Sequence, residues 1–460
     1  MTNERTYVAE HVADLHADLL AWLAIPSIGA DPERAADVRR NAEWLAQAFT
    51  RTGFPTVEIW ETAGQPAVFA EWPAAEAGAP TVVVYGHHDV QPVDPEELWR
   101  TPPFEPTIVG DELFARGASD DKGQLLFHLI GLQAHLAATG RTSPAVTLRY
   151  VIEGEEESGS PHFADLLRER RDRLDCDVIV VTDTGVFGPD TPSVCLGMRG
   201  MADGEVHFHG PDGDLHSGSF GGAVPNPLTE LAKLLAAMHD ADRVVQLPGF
   251  YDDVLPITDA EREAFAKLPF DEQAFLTGPA QSRAAVGEAG YSTLERIWAR
   301  PTAEINGFWG GYTGPGHKTI VPSDAYAKLS FRLVANQDPV KIQAALEEFV
   351  RQHTPDGITA TVEFFGGGVK PSNSPLDHPA TQAVLRSVER AFEREVLLTR
   401  EGGSGPESDL AEILDAPVVF LGVGLPDDHI HAPNERVLLP QLYKGAEAVA
   451  YLWSELSRPS

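Results

Sequence analysis

Histidine and carboxylate side chains, which bind divalent metals and transfer protons, occur in several short segments of this sequence. The residues with this chemistry are His87, Asp89, Asp120, Glu156, Glu157, Asp183, His429 and His431. Any one of them alone would indicate a structural or surface residue and not a metal ligand, because a histidine after a strand is more often structural and an acidic run is usually solvated. Their occurrence in five segments indicates a metal centre. With only Cys176 and Cys195 in the chain, its ligands must be histidine and carboxylate.

The spacing within these segments suits two metal ions. Two divalent ions a few ångström apart need several ligands and one carboxylate that bridges them, and a set without cysteine suits zinc, manganese or cobalt. His87 and Asp89 lie two residues apart in extended chain, so Asp89 can accept the imidazole N–H and fix the ring. Glu156 and Glu157 are consecutive and cannot both point at one spot. This favours one metal ligand and one neighbouring general base.

The elements that must position these residues are four short apolar runs, which predict buried strands at 82–85, 146–151, 178–181 and 418–421. Leucines three or four residues apart predict an amphipathic helix over 124–138, between the first two strands. This alternation predicts an α/β domain with a mainly parallel sheet. Because ligands gather at the carboxyl ends of such strands, we expect the histidine and acidic residues at one edge of the sheet.

The pattern changes between about residues 201 and 365. Apolar periodicity there predicts a strand, a helix, two strands, a helix and a strand, near 206–208, 228–238, 318–321, 329–333, 342–350 and 359–365. This order is typical of a ferredoxin-like α+β unit, and residues 241–300 are interpreted as an insertion within it. The predicted organisation is a discontinuous metal-binding domain, 1–198 and 372–460, with a smaller α+β domain, 199–371, inserted into it.

Composition argues against several kinds of partner. The chain has 35 Lys and Arg residues against 69 Asp and Glu, a net charge of −34, which repels phosphate backbones and anionic lipid surfaces. Nucleic acid and membranes are therefore not expected as partners. The N-terminal sequence lacks the basic and apolar regions of a secretory signal, and no run approaches the roughly 18 apolar residues of a membrane span. A cytoplasmic globular protein is expected.

Five segments occur in a particular order along the chain: YGHHDVQP (85–92), ARGASDDKG (115–123), EGEEESGS (153–160), VVTD (180–183) and HAPNE (431–435). Together they resemble the motifs of a family of metal-dependent amidohydrolases that includes carnosinases, cytosolic nonspecific dipeptidases, N-acyl amino acid deacylases and succinyl-diaminopimelate desuccinylases. The resemblance implies two divalent metal ions per chain, zinc by preference, with manganese or cobalt as alternatives. The implied roles are His87 and Asp183 on one metal, Glu157 and His431 on the other, Asp120 bridging them, Asp89 beside His87, and Glu156 as the general base.

Three further features look most like the dipeptidase branch of that family. DLHSGSFGG contains His216, which in relatives holds the scissile carbonyl oxygen and often reaches across a dimer. KTIVP and FRLV contain Thr319 and Arg332 at substrate-binding positions, and REGGS contains Ser404 where the substrate carboxylate is held. The resemblance thus implies that the inserted domain is a lid or dimerisation domain of a homodimer. On its glycine-rich sequence alone, His216 is a surface-loop histidine.

The implied activity is hydrolysis of a small dipeptide by a water shared between the metals, with Glu156 as base. A deacylase or desuccinylase of the same family, acting on an N-acyl amino acid, is one alternative, and an inactive homologue that acts as a binding module is another. His88 stands where an apolar residue is common and Asp121 where asparagine is common, but neither removes a ligand. The segment GGSGP lacks the final glycine of a nucleophile elbow, so a serine hydrolase is not favoured.

Overall fold

The computed structural model describes residues 3–458, which form two compact units. Within that range, unit 1 consists of residues 3–196, 373–399 and 405–458, and unit 2 of residues 197–372 and 400–404. The chain therefore enters unit 2 twice, first for a long stretch and later for a short one.

The helices and strands follow in chain order. Up to residue 198 they are α1 Glu4–Glu10, α2 Val12–Leu23, α3 Ala35–Thr52, β1 Thr56–Trp60, β2 Ala67–Trp72, β3 Thr81–His87, β4 Thr107–Val109, β5 Glu112–Phe114, α4 Lys122–Thr139, β6 Thr147–Glu153, α5 Phe163–Glu169, α6 Arg171–Leu174, β7 Val178–Val181 and β8 Ser193–Met198. Unit 2 continues with β9 Gly200–His209, β10 Leu215–His216, α7 Ser217–Phe220, α8 Pro227–Ala237, α9 Asp259–Ala266, α10 Glu272–Thr277, α11 Thr293–Trp298, β11 Thr302–Gly310, β12 Ile320–Val321, β13 Asp324–Leu333, α12 Pro339–His353 and β14 Thr359–Glu363. The remainder are α13 Pro379–Phe392, β15 Leu397–Glu401, α14 Glu407–Leu414, β16 Val418–Phe420, β17 Arg436–Leu438 and α15 Leu439–Leu456. Across the described residues, no helix has both the length and the apolar character needed to span a bilayer.

Six strands of unit 1 form its central sheet, in the order β1-β2-β6-β3-β7-β16. β3 pairs in parallel with β6 and with β7, and β16 pairs in parallel with β7. β1 and β2 add an antiparallel hairpin at one edge. The four parallel strands are buried on both faces, which explains their continuous apolar sequences. Their carboxyl ends lie together, so His87 at the end of β3 is directly opposite Glu153 at the end of β6.

Helix α4 holds the segment that precedes it against this sheet. It begins at Lys122, directly after Asp120 and Asp121, and it ends at Thr139. Gly140 caps its C-terminus with a φ of 67°, a conformation that glycine adopts at little cost. Its leucines are buried in the core of unit 1 beside residues of α15. The Asp120 segment is therefore anchored by a helix that solvent scarcely reaches.

Unit 2 is built on a four-stranded antiparallel sheet in the order β11-β13-β9-β14. β9 alternates strictly between buried and half-buried residues, and its inward side chains Val206 and Phe208 share a core with Leu231 of α8 and Leu346 of α12. The outward side chains of β9 include His207 and His209. This strand order, with two helices covering one face, is that of a ferredoxin-like α+β unit.

The predicted fold class, a mainly parallel α/β sheet with a second α+β unit, is confirmed. The predicted sheet strand at 318–321 is wrong, because only Ile320–Val321 is extended and it pairs with β10 outside the main sheet. The corresponding position in the sheet belongs to β11. A register shift between Ile305 and Gly307 and exposed Phe308 break the two-residue periodicity of β11, so the strand could not be read from its pattern.

Candidate metal centre

Three segments of unit 1 bring His87, Asp120 and Asp183 together. His87 ends β3, Asp183 lies two residues beyond β7, and Asp120 lies just before α4. His87 Nε2 is 2.8 Å from Asp120 Oδ1 and 3.5 Å from Asp183 Oδ2. One ligand atom from each residue lies within 4.8 Å of the others, as a shared metal ion requires.

A second group of the same kind consists of Asp120, Glu157 and His431. His431 Nε2 lies 3.0 Å from Asp120 Oδ2 and 3.0 Å from Glu157 Oε2. Asp120 thus directs one carboxylate oxygen to each imidazole, Oδ1 to His87 and Oδ2 to His431. Each oxygen of this carboxylate would thus be available to a different metal ion. His429 is exposed and belongs to neither group.

The charges of these residues fit a pair of cations. Burial raises the pKa of Glu157 to about 7 and that of Glu156 to about 10, and it raises the pKa of Asp183 as well. Burial also disfavours the ionised form of Asp120, but hydrogen bonds with His431 and His87 hold its pKa well below the usual value. Several carboxylates that are costly to ionise together therefore surround one point. Two divalent ions would supply the missing positive charge.

Asp89 holds the backbone of the two consecutive glutamates. Its Oδ1 accepts the N–H of Glu156 and its Oδ2 accepts the N–H of Glu157, both at 3.2 Å. Asp89 Oδ1 also lies 3.4 Å from His87 Nδ1, on the side of the ring away from Asp120. The hydrogen bond of His87 Nδ1 is to the backbone carbonyl of Asp89, at 3.2 Å. Asp89 thus orients His87 mainly through its carbonyl, and its carboxylate fixes the turn that carries Glu156 and Glu157.

Two positioning residues were missed by the sequence analysis. Buried Glu435 accepts the N–H groups of Gly117 at 3.0 Å, Ser119 at 3.0 Å and Asp120 at 3.2 Å, and it pairs with Arg116 at 2.7 Å. Gln91 donates from Nε2 to Glu157 Oε2 at 2.8 Å. Both residues lie inside segments that were quoted for the resemblance. However, Glu435 is 315 positions from Asp120, so no local pattern could assign its contacts.

The two departures from the family pattern do not contribute ligand atoms. His88 Nδ1 lies 3.0 Å from Asn41 Nδ2 and its Nε2 lies 2.9 Å from the Pro66 carbonyl, so both ring nitrogens are engaged away from the centre. Burial lowers the pKa of His88 to about 4 and keeps the ring neutral. Asp121 Oδ2 accepts the His87 N–H at 3.2 Å and the Thr182 hydroxyl at 2.7 Å. His88 and Asp121 therefore stabilise the position of the segment that contains His87.

Unit 2 carries the residues for which substrate roles were expected. His216 ends β10, and Thr319 lies directly before β12, with which β10 pairs. The Ser217 N–H donates to the Thr319 carbonyl at 2.9 Å. The side chains of His216 and Thr319 are exposed. His216 Nδ1 accepts the Gly218 N–H at 3.0 Å, so the ring proton of the neutral form is on Nε2. His216 therefore presents a hydrogen-bond donor to its surroundings.

A second place in unit 2 gathers positive charge. Arg332 donates from Nη1 to Ser404 Oγ at 3.0 Å, and Ser404 Oγ donates to the Arg199 carbonyl at 2.6 Å. Burial lowers the pKa of Arg199 to about 10, and the charge of Arg332 adds to the effect. A Cβ at Gly402 would lie 3.0 Å from Arg199 Nη2, so this glycine leaves room for the guanidinium. Two guanidinium groups beside a hydroxyl are suited to bind a carboxylate.

Comparisons with known proteins agree with this geometry. Residues 83–455 match the model of peptidase family M20/M25/M40, so the chain belongs to this family. It is 29% identical over 454 residues to the Cys-Gly metallodipeptidase DUG1 of Candida albicans, with 93% of this chain and 91% of that protein covered. It is 29% identical over 475 residues to the human Beta-Ala-His dipeptidase, with 97% of this chain and 91% of that protein covered.

Solved structures extend the likeness to the whole fold. The M20 family metallo-carboxypeptidase Sso-CP2 of Sulfolobus solfataricus superposes with a TM-score of 0.82 and 30% identity, covering 96% of this chain and 99% of that chain. The expected family is thereby confirmed, and so is the expectation of an enzyme that hydrolyses peptide bonds.

Proposed function

We propose that this peptidase is a metal-dependent dipeptidase. The observation that carries the proposal is the pair of ligand groups that share Asp120, each completed by a histidine and a second carboxylate. His87 and Asp183 would hold one ion, and Glu157 and His431 the other. Zinc is the proposed metal, because histidine and carboxylate ligands without cysteine suit a catalytic zinc site, and manganese or cobalt could replace it.

The proposed mechanism assigns the proton transfers to Glu156. Two divalent ions held by these ligands would polarise the scissile carbonyl and increase the acidity of a water molecule. Glu156 takes the proton of the attacking water and passes it to the leaving amine. Asp89 keeps Glu156 in place through the backbone N–H that it accepts. His216 donates from Nε2 to the carbonyl oxygen as negative charge develops there.

The proposed substrate has a free carboxylate close to the scissile bond. Arg332 and Ser404 would bind that carboxylate, with Arg199 as a second cation, and Thr319 would contact the substrate backbone. Charge-assisted hydrogen bonds from arginine to carboxylate are strong and directional, so they select for a terminal carboxylate. A chain end near the scissile bond is the property that distinguishes a dipeptide from an internal peptide segment.

The relatives support dipeptide hydrolysis, because the curated proteins with 29% identity are named as dipeptidases. A second candidate, release of single residues from the carboxyl end of longer peptides, is favoured by the likeness to the Sulfolobus metallo-carboxypeptidase. Deacylation of an N-acyl amino acid is a third candidate, since such a substrate also ends in a free carboxylate. All three activities use the same metal and carboxylate sites.

A substrate panel separates these candidates. The purified enzyme, supplied with zinc, manganese or cobalt, would be offered dipeptides, the same dipeptides amidated at the C-terminus, pentapeptides and N-acetyl amino acids. We expect the highest kcat/KM with free dipeptides. Higher kcat/KM with pentapeptides would identify a carboxypeptidase, and higher values with N-acetyl amino acids would identify a deacylase. The Glu156→Ala variant is the control for contaminating peptidases.

We also propose that the enzyme is a cytoplasmic homodimer in which His216 acts on the metal centre of the partner chain. The exposed position of His216 on the β10–β12 ribbon supports a role outside its own unit. In this arrangement Glu156 and His216 of one complete site come from different chains. Two inactive variants can therefore complement each other.

Subunit exchange tests this arrangement. Glu156→Ala protein and His216→Ala protein, each inactive, would be mixed under conditions that let dimers exchange. Hybrid dimers should contain one complete site, so activity should return. If size analysis with tagged chains shows exchange and the mixture stays inactive, His216 acts within its own chain. Glu156→Ala mixed with a His353→Ala variant, altered at an exposed histidine of α12, is the control for simple mixing.

A further inference from the structure

The outer face of the unit 2 sheet carries a second kind of histidine cluster. His207 Nε2 lies 2.8 Å from Asp324 Oδ1, and His209 Nδ1 lies 2.9 Å from the same oxygen. The three residues offer ligand atoms within 4.8 Å of one another. All three side chains are about one-third exposed, at 30%, 40% and 33%, so solvent ions can reach them.

The sequence places this cluster by strand periodicity and register. His207 and His209 are two residues apart on β9, so both point to the same face, while Val206 and Phe208 point into the core. Asp324 at the start of β13 is directly opposite His209. Two imidazoles on one strand and a carboxylate across the ladder form a three-ligand set whose spacing is fixed by the backbone of a sheet.

Neighbouring side chains hold these groups in place. Ser323 donates its hydroxyl to Asp324 Oδ2 at 2.6 Å, which orients the carboxylate and leaves Oδ1 towards the histidines. This hydrogen bond is the main reason that the pKa of Asp324 is lowered to about 2, so the carboxylate is ionised at any physiological pH. The His207 ring stacks on Tyr326 with centroids 4.3 Å apart, and Tyr326 stacks on Trp309 at 5.3 Å. The ring of His207 therefore has little freedom to turn away.

The charge around the cluster also favours a cation. Glu205 lies on the same face of β9, two residues before His207, and the chain as a whole has a net charge of −34. Lys328, across the ladder from Glu205, lies 3.9 Å from the carboxylate of that glutamate. Such a field raises the local concentration of divalent cations.

We propose that His207, His209 and Asp324 form a separate mononuclear metal site on unit 2, for a borderline divalent ion such as Zn²⁺. Two imidazoles and one carboxylate are a ligand set that zinc prefers, and water would complete the coordination at the exposed side. Magnesium and calcium, which prefer oxygen ligands, would bind it poorly. The ion would cross-link β9 to β13, because its ligands come from both strands. This site shares no residue with the centre formed by Asp120, so it stands whether or not that centre has the proposed activity.

The rival interpretation is a hydrogen-bonded cluster, in which each imidazole donates a proton to Asp324 and no metal binds. The two cases differ in what the facing nitrogens carry, a proton or a metal ion. They can be separated by counting ions, because a hydrogen-bonded cluster contributes none.

The test measures zinc binding to the full-length protein after removal of metals with a chelator. Zinc would be added in competition with a chromophoric chelator, and bound metal would be counted by elemental analysis after dialysis. We expect His209→Ala to bind one ion per chain fewer than the unaltered protein, and Asp324→Asn to do the same. Ser323→Ala, which keeps all three ligands, should lower the affinity for that one ion roughly 10- to 100-fold, as removal of an orienting partner does. Circular dichroism of the metal-free proteins shows whether each variant is folded.

Two control experiments show whether the ion lost in His209→Ala is the one bound on unit 2. His353→Ala, an exposed histidine of the same unit, should bind as many ions as the unaltered protein. In a His87→Ala background, which removes a ligand of the other centre, the ion on unit 2 should remain, and it should disappear when His209→Ala is added. The proposal is overturned if His209→Ala and His353→Ala bind the same number of ions.

Discussion

Two regions of this protein concentrate charge of one sign, and they do so with opposite signs. In unit 1, Asp120, Glu157 and Asp183 lie together with only two histidines. In unit 2, the guanidinium groups of Arg199 and Arg332 lie near each other beside Ser404. Burial makes both arrangements costly, since it raises the pKa of Glu157 and Asp183 and lowers that of Arg199.

The difference in sign indicates what each region binds. A buried excess of negative charge is stabilised by cations, and a half-buried pair of guanidinium groups by an anion. Under the proposed function, the cations would be metal ions at the scissile bond and the anion would be the carboxylate at the end of the substrate. In this proposal one region serves the reaction and the other serves substrate selection, so variants in each should have different kinetic effects.

The largest effect is expected in the acidic region, from its two consecutive glutamates. Glu156→Ala should leave the metal content nearly unchanged while kcat falls by roughly 10² to 10⁴, the range for loss of a general base. Glu157→Ala should lose metal as well as activity, because it removes a ligand. Steady-state kinetics with elemental analysis of each protein measures both effects.

Glu169→Ala, altered at an exposed glutamate of α5, is the control and should have unaltered kinetics. If Glu156→Ala lost the metal and Glu157→Ala kept it, the two roles would be exchanged.

The next largest effect is expected in the cationic region. Arg332→Met should lower kcat/KM for a dipeptide by roughly 10- to 100-fold, the value of hydrogen bonds to a charged group, mainly through KM. The same variant should lose the preference for a free over an amidated C-terminus. Arg351→Met, at an exposed arginine of α12, is the matched control. An unchanged preference in Arg332→Met would show that the carboxylate is bound elsewhere.

A substitution of Glu435 is expected to have an effect of similar size on the affinity for metal and not on the binding of substrate. Glu435→Gln places an amide among the N–H groups of Gly117, Ser119 and Asp120 and weakens the pair with Arg116. Metal affinity should fall roughly 10- to 100-fold, as for other residues that orient a ligand. Competition with a chromophoric chelator measures the change, with exposed Glu97→Gln as the control. Equal affinities of the two variants would contradict a positioning role.

The smallest effect is expected from Ser404→Ala. It removes one hydroxyl from the cationic region while both arginines remain, so KM for a dipeptide should rise only about 2- to 10-fold, the value of a neutral hydrogen bond. Its kcat should be nearly unchanged. A fall in kcat comparable to that of Glu156→Ala would mean that Ser404 takes part in the chemical step.

The acidic region was the easier of the two to predict from the sequence. His87 and Asp183 follow strands whose apolar sequences are unmistakable, and the topology of a parallel sheet brings the ends of such strands together. The helix predicted over 124–138 corresponds to α4, which extends from Lys122 to Thr139. Local periodicity and one rule of topology were sufficient for these residues.

Residues that act through distant contacts were not predictable in this way. Glu435 bonds to backbone groups more than 300 positions earlier, and Arg199 meets Ser404 205 positions later. β11 was missed because its register shift and exposed apolar side chains hide the alternation of a strand. The alternation of Val206 and Phe208 places His207 and His209 on the outer side of their strand, but the contact of these histidines with Asp324 depends on the register between β9 and β13.

The most direct test of the central claim is to follow activity while metal is returned to the chelated protein. The His209→Ala variant should be used, so that an ion on unit 2 does not enter the count. Hydrolysis of a dipeptide should be lost on chelation and should return in full as bound zinc, manganese or cobalt approaches two ions per chain, the number that two ligand groups sharing Asp120 can hold. Full activity in protein shown by elemental analysis to contain no metal would contradict the account.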